Sequence, residues 1–536
     1  MKNNNFMIRK SFRLAGWVLS AAVVLSACTK DLDRFPTNDL TPDKVFKDAA
    51  GYNSAAAKVY GAFALTGNSG GAGSGDIAGI DEGTSDFLRL FWKAQELSTD
   101  EAVVAWNDPG IQDFHNMNWS SSNPMLIGLY YRSVYQITLA NEFIRESTDG
   151  KLSERGITGA AADNIKLFRA EARFLRAFQY WVLMDLYANP PFVTENDPIG
   201  VFYPKQTNRQ FLANYIASEI KEIEPLLKAP RTNEYGRADQ AAAWSLMARM
   251  YLNAKAYDLA ERYDSAAFFA DKVIKAGYKL ETNYRNLMLA DNHLNKDEFI
   301  FTINYDGIKT QNFGGTTFLV HAAVGDNMNP NDFGVNGGWF GIRTTRNLPN
   351  LFPDPSGNTD RRAQFQQNNL EINDISKFAD GWAVTKFRNK TRAGVDGSDP
   401  QKTFVDNDFP LFRLGEMYLI YAEAVLRNSS AGSRDLALQY VNALRTRANN
   451  GSTANNINST QLTTDFVLDE RGRELYWEGV RRSDLVRYER FTQGTYLWPW
   501  KGGVKDGRGV EPHRKIYPIP AAEILSNPNL KQNPNY

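Results

Sequence analysis

The chain has 536 residues, and its 61 basic and 61 acidic side chains cancel. No basic stripe or charge block breaks that balance, which excludes nucleic acid as a partner, because phosphate backbones are held by clustered Lys and Arg. Hydrophobic residues make up 43% and aromatic residues 12% (11 Trp, 24 Tyr, 32 Phe), enough for a large core and, by length alone, for several domains.

The N-terminus speaks for export. Lys2, Arg9, Lys10 and Arg13 precede an apolar run, Leu14 to Leu25, that is short for a bilayer span. The run ends in Leu25-Ser26-Ala27-Cys28, which holds the only cysteine and resembles a bacterial lipoprotein lipobox. There the thiol is acylated and becomes the first residue after cleavage; the alternative is a signal peptide cut elsewhere, leaving a free thiol. Residues 1–27 are thus expected to be a signal peptide, and 28–40 a tether held in outer-membrane lipid through acylated Cys28. Acyl chains contribute about 0.8 kcal/mol per buried CH₂, so such an anchor needs no transmembrane helix.

Thr41-Pro42-Asp43 predicts a capped helix to about Ala64, followed by the glycine loop Gly67 to Gly75. That loop lacks the strand and spacing of a phosphate cradle. A second loop carries Trp106, Asn107, Asp108, Pro109, His115 and Trp119. Helical periodicity then predicts helices at about 123–146, 164–187, 208–228, 237–256 and 262–276. Within 164–187, Ile165, Phe168, Ala172, Leu175 and Val182 form one apolar face, and Phe174, Phe178 and Trp181 a second. A helix apolar on two sides lies between other helices. Trp244, Leu246, Ala248, Tyr251, Tyr257 and Ala270 approximate a tetratricopeptide helix pair. From 281 to 408 the chain turns rich in Gly, Asn, Asp and Pro, with short strand candidates such as Phe299–Ile303, and a loop-rich stretch of that length is more often functional than idle. Helices resume at 409–427, 433–448 and 465–488. The fold expected is mostly α: an N-terminal helical part (41–280) with tetratricopeptide-like pairs, a loop-rich, minor-β insertion (281–408), and a C-terminal helical part (409–536) closing the same domain.

Several stretches carry a family resemblance: Phe168-Arg169-Ala170-Glu171-Ala172-Arg173-Phe174-Leu175-Arg176-Ala177, then Leu186-Tyr187 running into Pro190-Pro191-Phe192-Val193; Arg413 to Ala424; Glu470 to Leu485; Tyr517-Pro518-Ile519-Pro520; and the terminal Asn529 to Tyr536. The chain resembles the SusD/RagB family of Bacteroidetes outer-membrane glycan-binding lipoproteins. The resemblance implies a scaffold of tetratricopeptide-like pairs, an oligo- or polysaccharide ligand, and a TonB-dependent, SusC-like transporter barrel over which the lipoprotein acts as a lid.

Glu470, Glu474 and Glu478 invite a catalytic reading, but glycoside hydrolysis needs two carboxylates facing each other across a sugar, about 5–10 Å apart. Carboxylates on one helix face do not straddle a substrate, and Asp469/Arg473 and Glu478/Arg482 read as i,i+4 salt bridges. His115, His293, His321 and His513 show no ligand spacing, so neither metal nor cofactor is expected. Aromatics in loops are better candidates, since sugars offer flat C–H faces rimmed by hydroxyls. One candidate cluster is Trp106-Asn107-Asp108 with Asn68 and Asp76 of the glycine loop. The other runs from His321 through Trp339 to Arg343, with Lys386 and Arg388 as weaker members. By the resemblance, Trp106 occupies the loop after the Ser98-Thr99-Asp100-Glu101 segment from which relatives contact ligand. A non-enzymatic glycan-binding subunit leads the readings; the others are a lid or adaptor for peptides or other nutrients, and an exported glycoside hydrolase.

Overall fold

A computed structural model describes residues 41–71 and 75–536; the expected signal peptide, Cys28 and the tether lie outside the described residues. The principal helices are α1 (Ala49–Gly61), α2 (Phe87–Glu96), α3 (Pro124–Glu146), α4 (Gly159–Tyr187), α5 (Arg209–Ile223), α6 (Gln240–Leu252), α7 (Tyr263–Ile274), α8 (Gly315–Ala322), α9 (Leu414–Leu426), α10 (Arg434–Ala448), α11 (Thr464–Leu475) and α12 (Arg481–Arg487). Many begin at a polar cap whose side chain accepts an otherwise orphaned backbone N–H: Asp48, Asp86, Asn123, Asn208, Asp239, Ser433 and Thr463. Neighbouring helices pack in pairs, α3 on α4, α4 on α5, α6 on α7 and α9 on α10, giving the tetratricopeptide-like scaffold.

Helix α4 runs through the middle as its two apolar faces require. Phe174, Leu175, Phe178, Trp181 and Val182 are fully buried, and Phe178 stacks obliquely on Trp181 at 5.5 Å. The first predicted helix is instead broken. Pro42–Val45 makes a single turn without a side-chain bond from Thr41, and α1 starts afresh at the Asp48 cap.

Six short strands occur among the described residues: β1 (Val103–Val104), β2 (Phe299–Ile303), β3 (Ile342–Arg343), β4 (Phe365–Gln366), β5 (Ala383–Val384) and β6 (Phe409–Arg413). They form three antiparallel pairs, β1 with β3, β2 with β6 and β4 with β5. The β2–β6 pair joins the two ends of the loop-rich insertion, so Phe409–Arg413, expected to be helical, is strand and α9 begins only at Leu414.

The stretch expected as one helix from 465 to 488 is two. Trp477 (φ 64°) and Gly479 (φ 74°) adopt the left-handed region between α11 and α12. The break turns Trp477 into the core, where its Nε1 donates to Glu101 O at 3.1 Å and its backbone N to Glu101 Oε2 at 3.1 Å.

The acidic-basic run is a buried network, as expected, although its pairs differ from the i,i+4 assignment. Glu474 faces Arg413, Arg362 and Arg447; Glu478 faces Arg413 and Lys386; Arg473 pairs with Glu470 at 2.8 Å rather than with Asp469. Glu478 lies beyond the end of α11, so it cannot form the helical pair with Arg482. Burial alone would push the Glu470 carboxyl up, but Arg362, Arg473 and Arg445 outweigh it and hold its pKa at about 2. These carboxylates are locked in the core and face guanidinium groups.

Candidate ligand-binding face

Residues 98–101 form the base of the face. Asp100 is chelated by Arg481 through two 2.7 Å bonds, and its carbonyl accepts from Thr345 Oγ1 at 2.5 Å. The break motif and the insertion therefore grip the same segment, and β1 leaves it in register with β3, Val103 opposite Arg343. Ala105 N continues the ladder to Gly341 O at 2.8 Å, which delivers Trp106 to the insertion.

Trp106 and Trp339, 233 positions apart, meet there. Trp106 Nε1 donates to Trp339 O at 2.8 Å, and the rings lie 6.5 Å apart at 44°. Trp339 stacks on His321 (4.6 Å, 20°) and neighbours Phe313 at 6.4 Å, which in turn neighbours Phe404 at 5.4 Å. Trp106, Trp339, Phe313 and Phe404 are all half-buried, a run of rings each showing part of its surface to solvent. Gly341 makes the close approach possible: a Cβ there would stand 2.4 Å from the Trp106 ring.

His321 is in the expected place but beneath the platform. Its Nδ1 lies 2.7 Å from Gly337 O and its Nε2 2.9 Å from Thr403 O, and it is 1% exposed. Burial pushes its pKa below the ordinary imidazole value, against the two carbonyls that favour the proton. It supports Trp339 rather than a ligand.

Arg343 needs a firmer correction. It is fully buried, with Nε donating to Asp380 O at 2.8 Å and Nη2 to Ile375 O at 3.0 Å. The insertion has few regular ladders, so its carbonyls recruit side-chain donors instead. Arg388 serves the same end, donating to Thr385 O at 3.1 Å with its guanidinium 5.3 Å over Phe333, and Lys386 is buried against Glu478 at 2.6 Å.

The glycine-loop candidates are tied to α1: Lys58 Nζ donates to Asn68 Oδ1 at 2.7 Å and to Asp76 Oδ2 at 2.6 Å. Their loop still borders the platform, because Phe313 N donates to Gly71 O at 3.3 Å and a Cβ on Gly71 would touch the Phe404 and Phe313 rings.

Arg89 was missed by the sequence reading. Helix α2 holds its guanidinium 4.5 Å over Phe318, 5.7 Å from Trp106 and 6.0 Å from Trp339, with Nη1 donating to Phe313 O at 2.8 Å. Its buried Nε has no partner among the described residues. Burial lowers its pKa to about 10, countered by Asp86, Asp108 and Asp81, so it stays cationic at neutral pH. Phe313 and Phe404 were missed as well. The available signal was the one used for Trp106 and Trp339, aromatic residues within Gly/Asn/Asp-rich sequence. Among the described residues no group of three or more His, Cys, Asp or Glu side chains could hold a metal, and no helix is long and apolar enough to cross a membrane.

Tetratricopeptide-like layers that carry a loop-borne aromatic platform are the architecture of a binding scaffold. A sequence profile described as the SusD family matches residues 357–536. The starch-binding protein SusD of Bacteroides thetaiotaomicron is 35% identical, over 97% of each chain. SusD-like protein P2 of Formosa agariphila is 24% identical, over 98% of this chain and all of the other. Among solved structures, surface glycan-binding protein A from Bacteroides thetaiotaomicron in complex with laminarihexaose superposes with a TM-score of 0.68 at 20% identity, covering 91% of this chain and 99% of that one. The chain belongs to the SusD family.

Proposed function

We propose that this protein is a non-enzymatic, lipid-anchored outer-membrane glycan-binding protein that captures oligo- or polysaccharide on the Trp106–Trp339–Phe313–Phe404 platform and delivers it to a TonB-dependent, SusC-like transporter. The observation that carries the reading is the platform itself. Four half-exposed rings offer a sugar the apolar faces that its C–H groups need, and the buried Arg89 guanidinium packs against Trp106 and Trp339 from behind. The rings are held before any ligand arrives, by the Trp106–Trp339 hydrogen bond and the His321 stack, so binding spends little on ordering them. The 35% identity to a starch-binding protein over nearly the whole chain supports a glycan ligand and makes starch the first polymer to test.

The test is calorimetry of residues 29–536 against starch, laminarin and a panel of acidic polysaccharides, with a reducing-sugar assay on the same mixtures. Saturable binding to one polymer without release of reducing ends, weakened roughly tenfold by Trp106→Ala, is the expected result. Reducing ends that accumulate with time would replace the binding protein by a hydrolase, and silence across the panel from folded protein would remove the glycan. Copurification of an outer-membrane barrel with the acylated protein tests delivery.

A further inference from the structure

Beside the platform, the segment 234–237 forms the shared wall of two cavities of about 360 and 340 Å³. Both fall in the size range of small-ligand sites. Their lining has two chemistries. Tyr60, Phe168 and Tyr235 are half-buried rings, while Asn53, Asn304 and Lys296 are exposed amides and an ammonium. The rings are fixed in place. Tyr235 donates to Asp408 at 2.8 Å, Tyr60 to Glu171 at 2.7 Å, and the Arg237 guanidinium lies 4.1 Å over Phe168. Gly236, at φ +82°, passes so close to Asn304 that a Cβ would come within 2.2 Å of its amide nitrogen.

The second cavity shares its wall with the segment that leads to the platform. Ala64, Leu65 and Thr310 line the second one; Asn312 Nδ2 bonds Ala64 O, and Phe313, a platform ring, follows Thr310 by three residues. Three residues span at most about 11 Å of chain. Phe313 thus stands within about 11 Å, along the backbone, of a residue that lines the groove.

We propose that the groove is an extension subsite taking further units of the same glycan chain that the platform holds. The proposal rests on the glycan-binding reading above and adds a length dependence to it. Two linked subsites raise affinity through effective concentration without a new contact at the first one. Ligands long enough to reach both should bind more tightly than short ones.

Calorimetry with two probe pairs, maltotriose with amylose and laminaritriose with laminarin, tests this on residues 29–536. The variant is Lys296→Ala/Asn304→Ala, both exposed; Asn53→Trp, which fills the groove from α1, is the second. In the pair that the wild type binds, the expected result is trisaccharide affinity within about twofold of wild type and polymer affinity reduced roughly tenfold, toward the trisaccharide value. Unchanged polymer affinity in both variants, or equal loss for the short and long probes, overturns the extension subsite while leaving the platform standing. If the wild type binds another polymer of the panel instead, that polymer and its trisaccharide form the probe pair; a wild type that binds none of the panel removes the platform reading, and the extension falls with it.

Discussion

Gly341→Ala puts the platform under the most direct test, because the methyl group acts on one ring. The added Cβ would sit 2.4 and 2.6 Å from two carbons of the Trp106 indole, well inside van der Waals contact. The backbone there cannot yield easily, since Gly341 N donates to Ala322 O at 2.9 Å and Gly341 O accepts from Ala105 N at 2.8 Å. The indole must therefore swing out by about 1 Å or more, given carbon–carbon contact distances of about 3.5 Å. That breaks the Trp106–Trp339 hydrogen bond, worth about 1 kcal/mol net, and removes one stacking surface, worth about 0.5–1.5 kcal/mol. The folded protein should lose about 1 kcal/mol in urea unfolding, while glycan affinity measured by calorimetry should drop roughly five- to tenfold. The decisive comparison is a double-mutant cycle with Trp106→Ala: without the indole, the Gly341→Ala methyl has nothing to displace and should change affinity by less than about twofold. An equal loss of affinity in both backgrounds would refute the argument that Trp106 is the element displaced.

Two further outcomes follow from the buried charges. Glu474→Gln leaves Arg413, Arg362 and Arg447 without a carboxylate they share, and urea unfolding should show a loss of about 3–5 kcal/mol; a change below about 1 kcal/mol would mean the network is not coupled as drawn. Asp408 behaves oppositely to the salt-bridged glutamates: burial raises its carboxyl from 3.8 to about 7, against hydrogen bonds from Tyr305 N and Tyr235. The folded state thus favours the proton, so this group's contribution is fully present below about pH 4 and is lost as pH rises to about 7. Asp408→Asn, which resembles the protonated acid, should flatten that slope and at pH 8 gain up to roughly 4 kcal/mol relative to wild type; parallel stability–pH curves for the two proteins would contradict it.

The helical frame was legible because its signals are local. The two apolar faces of 164–187 and the caps Ser433 and the residue before Pro124 can be read within a single turn, and α3, α4, α9 and α10 lie close to where periodicity puts them. Phe409–Arg413 was read as helix because five consecutive buried positions carry no period, and only the distant partner Phe299–Ile303 makes them a strand. The break at Trp477 hid behind a good helical pattern, with Gly479 as its one trace. At the site, aromatic residues in polar loops pointed to Trp106 and Trp339, which the fold brings together, whereas their contact spans 233 positions and has no local sign. Polar loop residues misled in the other direction. Arg343, Lys386 and His321 look like surface groups in sequence, but a loop-rich layer must supply its own hydrogen-bond partners, and these three do so from inside. Arg89 escaped notice for the complementary reason, since a cation on a helix ordinarily reads as solvated.

The β2–β6 ladder also bears on how such a protein can change over time. The insertion leaves the frame at Ile303 and returns at Phe409, two residues paired directly across the ladder. Arg362 and Lys386 are driven like pegs into the glutamates of the frame. Between these fixed points the chain is a set of closed circuits, and lengthening one of them is a matter of loop entropy alone, about 0.6 kcal/mol for each doubling. The segment bearing Phe313 and Trp339 lies in one such circuit. Its loops can be rewritten for a different ligand while the β2–β6 ladder and the Arg362 and Lys386 ion pairs stay in place.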